Sequence, residues 1–519
     1  MATALRTPGV YIVEKNAFPN SVVEVPTAVP AFIGYTKYAL NGTKSLHLQP
    51  FRITSLADFH QHFGDGPDYT FNVTVEADKT KADTVLGGSG YKIEQDKGKF
   101  LLYRCIRMFF DNGGGPCYIV SVGDFDGDAG KDTTIDIADF EKGLDTLVRE
   151  QEPTMVVVPD LMAIAADPDK TSKNGKDLYT FQGKIIDHCG GRMQSRFAVL
   201  DVQFGWLTPN SPIAEPINLF RNYVSSDFLK FGAAYYPWVY TSIVGANDVN
   251  YRNVANGADL VTMIKAEIDR NVADKKISDA KATEFKAEVD KIVAPDQKPK
   301  DITVLHNTLQ VISPIYVSLI GELRKRLNLL PPAAAMAGVY SRVDNSRGVW
   351  KAPANVTMAS VVSPAVNLTS EDQEDLNVTL QGKSINAIRS FIGEGTLVWG
   401  ARTLDGNSQD WRYINVRRTM IMLEQSIKAA CKAYVFEPNN ANTWVAVKSM
   451  ISNYLTSKWK DGALVGAKPD EAYDVQVGLG ATMTAEEILD GIMNVTVKVA
   501  IVRPAEFIVI TFQQQMQKS

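Results

Sequence analysis

Apolar and polar positions follow two rhythms along this 519-residue chain, one of period two and one of three to four. Near the start, PGVYIVEK sets Val10 and Ile12 against Tyr11 and Val13 on alternate faces, which predicts a short strand. After a break at Phe18-Pro19-Asn20 comes VVEVPTAVPAFIGYT, whose Pro26 and Pro30 argue against helix and predict a second extended segment. ITSLADFHQHF, residues 53 to 63, reads as a helix capped by Ser55, and a polar, Gly-rich region follows to about residue 98. Helix and strand then alternate: a helix around 99 to 111, PCYIVSV as strand, DFEKGLDTLVRE as helix, TMVVVPD as strand, a helix near 176 to 190 and FAVLDV as strand. That order predicts a sheet with helices packed on its faces.

Residues 260 to 300 are dense in charge and predict an exposed helical insertion, followed by one helix through SPIYVSLIGELRKRLNLLPPAAAMAGVY. The last hundred or so residues carry the clearest pattern. In INVRRTMIMLEQSIKAACKAYVF, Val416, Met420, Leu423, Ile427, Ala430 and Tyr434 recur at steps of three and four, one apolar stripe. Asn439 is the expected cap of a second helix carrying Trp444, Val447, Met450, Ile451 and Tyr454. Thr484 and Glu487 form a capping box ahead of AEEILDG. NVTVKVAIV and EFIVITFQ read as strands split by Arg503-Pro504-Ala505, the second centred on Phe507, Ile508, Val509 and Ile510.

At 45% hydrophobic residues the chain buries a large core, and about 150 residues per domain gives roughly three domains. The formal charge of −5 offers no global attraction to nucleic acid or anionic lipid, so neither is expected as a partner. Cys105, Cys117, Cys189 and Cys431 form no CxxC pair, which is the usage of a reducing compartment. The start has no apolar signal-peptide core and no window approaches about 18 uninterrupted apolar residues. The expectation is assembly in the cytoplasm without a signal peptide and without direct membrane insertion.

Catalytic signatures each fail on a stated requirement. NVTLQGKS, residues 377 to 384, holds the GKS of a phosphate loop, but Asn377 stands where its first glycine belongs. DFDGDAGKDTTI spaces Asp124, Asp126 and Asp128 as a calcium loop does, with Ala129 and Ile135 in place of the required Gly and Glu. His60 and His62 point to different faces of their helix, and His47, His188 and His306 are isolated. A nucleotide-binding α/β enzyme is therefore the disfavoured alternative, and no catalytic, metal or cofactor residue is assigned.

AAYYPWV (233 to 239), PPAAAMAGVYSRVDNSRGVWKAPAN (331 to 355), GTLVWGARTL (395 to 404), WRYINVRRTMIMLEQSI (411 to 427) and VRPAEFIVITF (502 to 512) occur in that order. With TPGVYIVEK and VPTAVPAFIG near the start, they closely resemble the contractile tail sheath family of phage tails and phage-like contractile injection systems. Roughly 65 to 230 and 245 to 300 match only as a general α/β pattern.

The resemblance implies a multidomain, mixed α/β (α+β) structural subunit, not an enzyme. Copies would stack as hexameric rings in a sleeve around an inner tube, with baseplate and terminal cap proteins as further partners. The sleeve would store energy when extended and contract to drive the tube through a target envelope, in a phage tail or an injection particle. Its implied parts are an N-terminal arm (1 to 28), a middle region (29 to 345) with an outward-facing α/β domain and the charged insertion at about 245 to 300, a connecting core segment (346 to 407) and a tube-facing domain (408 to 519) ending in a strand arm. In such a subunit Val10 to Val13 and Phe507 to Ile510 would add strands to a neighbour's sheet.

The residues fit this independently. A strand on a free end gains main-chain hydrogen bonds only from another sheet edge, and non-closing contacts between copies build helical assemblies. Arg342, Asp344 and Arg347 would make charge-assisted bonds within or between subunits, with Trp350 as apolar anchor, so residues 338 to 355 read as a polar joint. Glu486, Glu487 and Asp490 would suit a weak contact with a basic tube patch, while the helix macrodipole explains Glu486 and Glu487 equally well.

Overall fold

The computed structural model describes residues 22–127, 132–164, 171–295 and 297–511. The strand expected at Val10 to Val13 lies outside the described residues. The chain divides into two compact units, Met1–Val25 with Thr419–Arg503, and Pro26–Arg418 with Pro504–Ser519.

The larger unit is built on a nine-stranded sheet. Its strands in chain order are β1 (Pro30–Thr36), β2 (Phe51–Ile53), β3 (Cys117–Asp124), β4 (Met155–Val157), β5 (Phe197–Asp201), β6 (Gly232–Tyr236), β7 (Val356–Thr357), β8 (Asn386–Phe391) and β9 (Gly395–Trp399). Across the sheet they run β7-β9-β8-β6-β5-β4-β1-β3-β2, parallel from β8 to β3 and antiparallel at both ends. Every residue of β1 is buried, as expected of a strand covered on both faces. Phe32 meets Phe109 of the Leu102–Asp111 helix edge-on, while Ile33 on the opposite face packs where Gly143 of the Ile137–Thr146 helix has no side chain.

The predicted alternation from 99 to 202 is present element for element. The expected helix through SPIYVSLIGELRKRLNLLPPAAAMAGVY is instead two, Pro314–Leu327 and Ala333–Arg347. Pro331 and Pro332 lie between them, where missing amide protons interrupt a helical ladder at no cost. The second helix is buried on all sides from Ala333 to Ser341 because its small residues admit close neighbours. A side chain at Gly338 would strike the Phe109 carbonyl. Asp201, at the end of β5, accepts the Ala333 amide at 2.8 Å and so fastens the start of this helix to the sheet.

The polar, Gly-rich region carries three antiparallel strands, Thr70–Glu76, Thr84–Leu86 and Ser89–Lys97. They share a second core with the helices Gly257–Ala273, Asp279–Asp290, Pro299–Ile312 and Pro314–Leu327. The charge-dense stretch is therefore not one solvated helix: it breaks near Asp274 and buries Leu260, Ile264, Ile268, Val289 and Ile292 on its inner side. Surface charge masked an apolar face of helical period. Among the described residues no single helix is long and apolar enough to cross a membrane.

In the smaller unit Asn440, not Asn439, caps the Ala441–Lys460 helix, accepting from the Asn442 and Thr443 amides. Asn439 instead accepts from the Trp444 indole at 2.6 Å. The capping box of Thr484 and Glu487 forms as expected, ahead of the Ala485–Leu489 helix. Strands β10 (Tyr473–Val477) and β11 (Val495–Val499) pair antiparallel in a two-stranded sheet.

Burial pushes the Asp201 carboxyl from its usual 3.8 up to about 8, against the downward pull of the Ala333 amide. The folded chain thus holds a proton that the unfolded chain has released. This contribution to stability is complete below the ordinary carboxylate range and is lost as pH rises through about 8. Asp201→Asn keeps an acceptor for Ala333 and cannot ionise. Its melting temperature is expected to fall less than that of the wild type between about pH 5 and about pH 9; parallel melting curves across that range would refute the assignment.

Candidate assembly site

Residues 338 to 347 lie on the Ala333–Arg347 helix, which Gly348 ends at φ 85°. Asp344 on this helix meets Arg418 with Oδ2 2.6 Å from Nη2 and Oδ1 3.0 Å from Nη1, a two-pronged pair with both side chains 4% exposed. The pair also grips the chain near its start. Thr27 Oγ1 donates to Asp344 at 2.7 Å, and Arg418 donates to the Thr27 carbonyl at 3.0 Å. Ser341 donates to the Ala28 carbonyl, and the Arg418 guanidinium lies 4.5 Å from the Tyr340 ring centre. This socket is internal to one chain and pairs Asp344 with Arg418.

The other residues expected in the joint stand apart from that pair. Arg342 donates to the Thr357 carbonyl of β7 at 2.5 Å. The Arg347 side chain is exposed and makes no hydrogen bond or ion pair among the described residues. The half-buried Trp350 ring fills the space that a side chain at Gly348 would need, and its carbonyl accepts from Asn415 at 2.8 Å.

A second buried guanidinium was not singled out from sequence. Arg402 is 4% exposed and donates to Glu506 through Nε at 3.0 Å and Nη2 at 2.7 Å. Asn377 Nδ2 and the Tyr413 hydroxyl also donate to Glu506, at 2.8 and 3.1 Å. Burial alone would raise the Glu506 carboxyl, but the bonds from Arg402, Asn377 and Tyr413 hold it below the usual range. Arg402 and Glu506 sit inside the quoted GTLVWGARTL and VRPAEFIVITF stretches, 104 residues apart. Only a search for opposite charges within apolar surroundings would have paired them.

Phe507, Ile508, Val509 and Ile510 form no strand with any described residue and are 71%, 79%, 89% and 70% exposed. The β10–β11 sheet has both outer edges unpaired among the described residues. Of the three acids expected to face a tube, Glu487 is committed to its own helix, accepting from the Thr484 amide and from Asn494. Glu486 and Asp490 are exposed.

The would-be phosphate loop is occupied by its own chain. Lys383 donates to the Arg221 carbonyl at 2.5 Å and Ser384 to the Asn377 carbonyl at 2.7 Å. His60 and His62 bond to Tyr103 and to the Leu40 carbonyl, and no metal-holding group of His, Cys, Asp or Glu occurs among the described residues. Asp128 of the acidic loop lies outside the described residues.

Fold and surface thus define a mixed α/β protein that presents, among its described residues, unpaired strand edges and an exposed apolar segment at Phe507 to Ile510. The profile of the phage tail sheath C-terminal domain matches residues 407–515. The chain is 26% identical over 161 residues to the tail sheath protein of Enterobacteria phage T4, covering 31% of this chain and 23% of that protein. It is 27% identical over 204 residues to the tail sheath protein of Vibrio phage KVP40, covering 39% and 28%. The matched stretches span about a quarter of these phage proteins. Among solved structures, the PVC sheath complex of an extracellular contractile injection system, in its contracted state, is 30% identical with a TM-score of 0.58, covering 99% of both chains. The contracted helical sheath of the anti-feeding prophage is 28% identical with a TM-score of 0.57, covering 99% of this chain and 100% of that one. The chain belongs to the contractile tail sheath family.

Truncating one partner of the Asp344–Arg418 pair strands a buried charge, so Arg418→Ala is expected to cost about 3–5 kcal/mol of stability. The double variant Asp344→Leu/Arg418→Met removes both charges and is expected to cost less than the single one. Denaturant unfolding of all three proteins checks this, and a double variant worse than Arg418→Ala would show that the charges themselves are not the constraint.

Proposed function

We propose that this chain is the subunit of a contractile sheath. Copies polymerise as stacked hexameric rings around an inner tube, join a baseplate at one end and a cap at the other, and contract to drive the tube through a target envelope. The observation that carries the reading is the pairing of needs within one chain. A two-stranded sheet is marginal by itself and leaves two rows of unpaired amides and carbonyls. Phe507 to Ile510 are an exposed apolar segment that pairs with no strand among the described residues. One copy's tail on another copy's sheet satisfies both, and because donor and acceptor surfaces differ, the contact propagates instead of closing.

Val10 to Val13 supply the second arm in this reading, and the β10–β11 sheet of a neighbour receives both. Arms that keep their pairing while the bodies rotate let one set of subunits hold two packings, the requirement of contraction. The smaller unit faces the tube, with Glu486 and Asp490 offering an exposed, salt-screened contact weak enough to release.

Negative-stain microscopy of the purified chain beside a variant lacking residues 1 to 20 tests the arm. The full chain is expected to form long, ridged, hollow sleeves and the truncation only monomers or short rings; equal assembly would remove that arm from the mechanism. For the tube contact, Glu486→Lys/Asp490→Lys is expected to leave the melting temperature unchanged and reduce the tube retained in sedimented sleeves. Glu487→Ala, which loses the helix cap, is expected to lower the melting temperature instead. Undiminished tube retention in the double variant would discard these acids as the contact.

A further inference from the structure

From Pro504 to Thr511 a single residue, Glu506, is hydrogen-bonded to the rest of the chain among the described residues. On its far side the four apolar residues are at least 70% exposed. The transition from held to free chain is therefore completed at one side chain.

That side chain is gripped from a rigid base. The Arg402 amide donates to Asn386 Oδ1 and its carbonyl accepts from Asn386 Nδ2, both at 2.8 Å. Asn386 belongs to β8, and its Nδ2 also reaches the Ala234 carbonyl of β6 at 3.2 Å. Arg402 Nη1 donates to the Asn377 carbonyl at 3.1 Å while the Asn377 side chain donates to Glu506. A continuous set of bonds thus runs from the nine-stranded sheet through Asn386 and Arg402 to Glu506. An exposed ion pair would do little, but Arg402 is 4% exposed, and releasing Glu506 would leave its guanidinium buried without a counter-charge.

We propose that Glu506 is the anchor of the C-terminal arm, a positioning residue that fastens the arm's root to the central sheet so that the strand from Phe507 onward starts from a fixed point. This rests on the reading that the arm is donated to a neighbouring copy. A pull on a strand bound in the neighbour's sheet returns along the arm to its first fixed point, which is this carboxylate. Tyr413 and Asn377 complete the socket and set the direction of the carboxylate through its remaining lone pairs.

The test separates the anchor from the arm. A variant lacking residues 507 to 519 examines the arm, and Glu506→Ala examines the anchor with the arm intact. Two quantities are read: the fraction of chain sedimenting as sleeves, and chymotryptic cleavage after Phe507 in the unassembled protein, which needs the backbone beside Glu506 to come free. The truncation is expected to abolish sleeves. Glu506→Ala is expected to raise the concentration needed for sleeves, and the cleavage rate, roughly tenfold each, with the main unfolding transition retained. Truncated chains that assemble normally would overturn arm and anchor together. Truncated chains that fail while Glu506→Ala assembles and resists cleavage like the wild type would overturn the anchor and leave the arm standing. If Glu506→Ala does not fold, Tyr413→Phe, which removes one donor, is expected to raise both quantities by a smaller factor; no change in either would overturn the anchor.

Discussion

A buried guanidinium needs its charge and its donors satisfied, and at two places that matter for the chain's ends a carboxylate does so. Arg418 with Asp344 holds Thr27, and Arg402 with Glu506 holds the start of the C-terminal segment. Each arginine is almost wholly out of water, so each acid is bound for the reason that makes a lone buried charge expensive. An apolar contact would also hold a segment, but with less control of direction. The two-pronged geometry of an arginine and a carboxylate fixes orientation as well as position.

The rest of the larger unit gives those arginines a base that does not yield. Asp344 lies on a helix of small residues pressed against the sheet, and the buried Asp201 carboxyl fastens the first turn of that helix to β5. Tyr340 on the same helix closes a 2.6 Å hydroxyl contact with Tyr235 of β6 and lies under the Arg418 guanidinium. Arg402 is tied through Asn386 to β8 and β6. Both sockets therefore refer back to the parallel centre of one sheet. In the proposed reading, arms joined to a loop would trail, whereas arms joined to that sheet would leave from defined points.

Much of this was legible in the sequence, and the unread parts have physical reasons. Alternation of apolar period gave the helices and strands from 99 to 202, and the capping box of Thr484 and Glu487 gave a helix start. The three strands between Thr70 and Lys97 were obscured because outward-facing polar residues and glycines dominate the stretch, while Phe71, Val73, Leu86, Tyr91 and Ile93 carry the buried face. Asp344 was singled out from its local company, but its partner Arg418 lies 74 residues further on and reads there as one of two adjacent arginines in a helix. Glu506 stands in sequence just before an apolar run, with no basic residue beyond Arg503 nearby. Its meaning depends on Arg402, Asn377 and Tyr413, three residues that only the fold assembles. Local pattern reports elements; the pairing of distant charges is a property of topology.

The division between strong and weak interactions follows from what a sleeve that changes length must keep and must give up. Within a copy, the roots of both terminal segments are held by buried, charge-assisted bonds that are costly to break singly. Between copies, an added strand would be held by main-chain hydrogen bonds, each contributing about 0.5–1.5 kcal/mol net and acting together along the strand. Such a strand would resist pulling along its length. In the proposed tube contact, exposed acids would make bonds that salt screens and that lapse without leaving a buried charge behind. Reversing that order, with strong tube contacts and soft roots, would let contraction tear the mesh before it freed the tube. The burial of Arg402 and Arg418, beside the exposure of Glu486 and Asp490, accords with the order that the proposed sleeve would require.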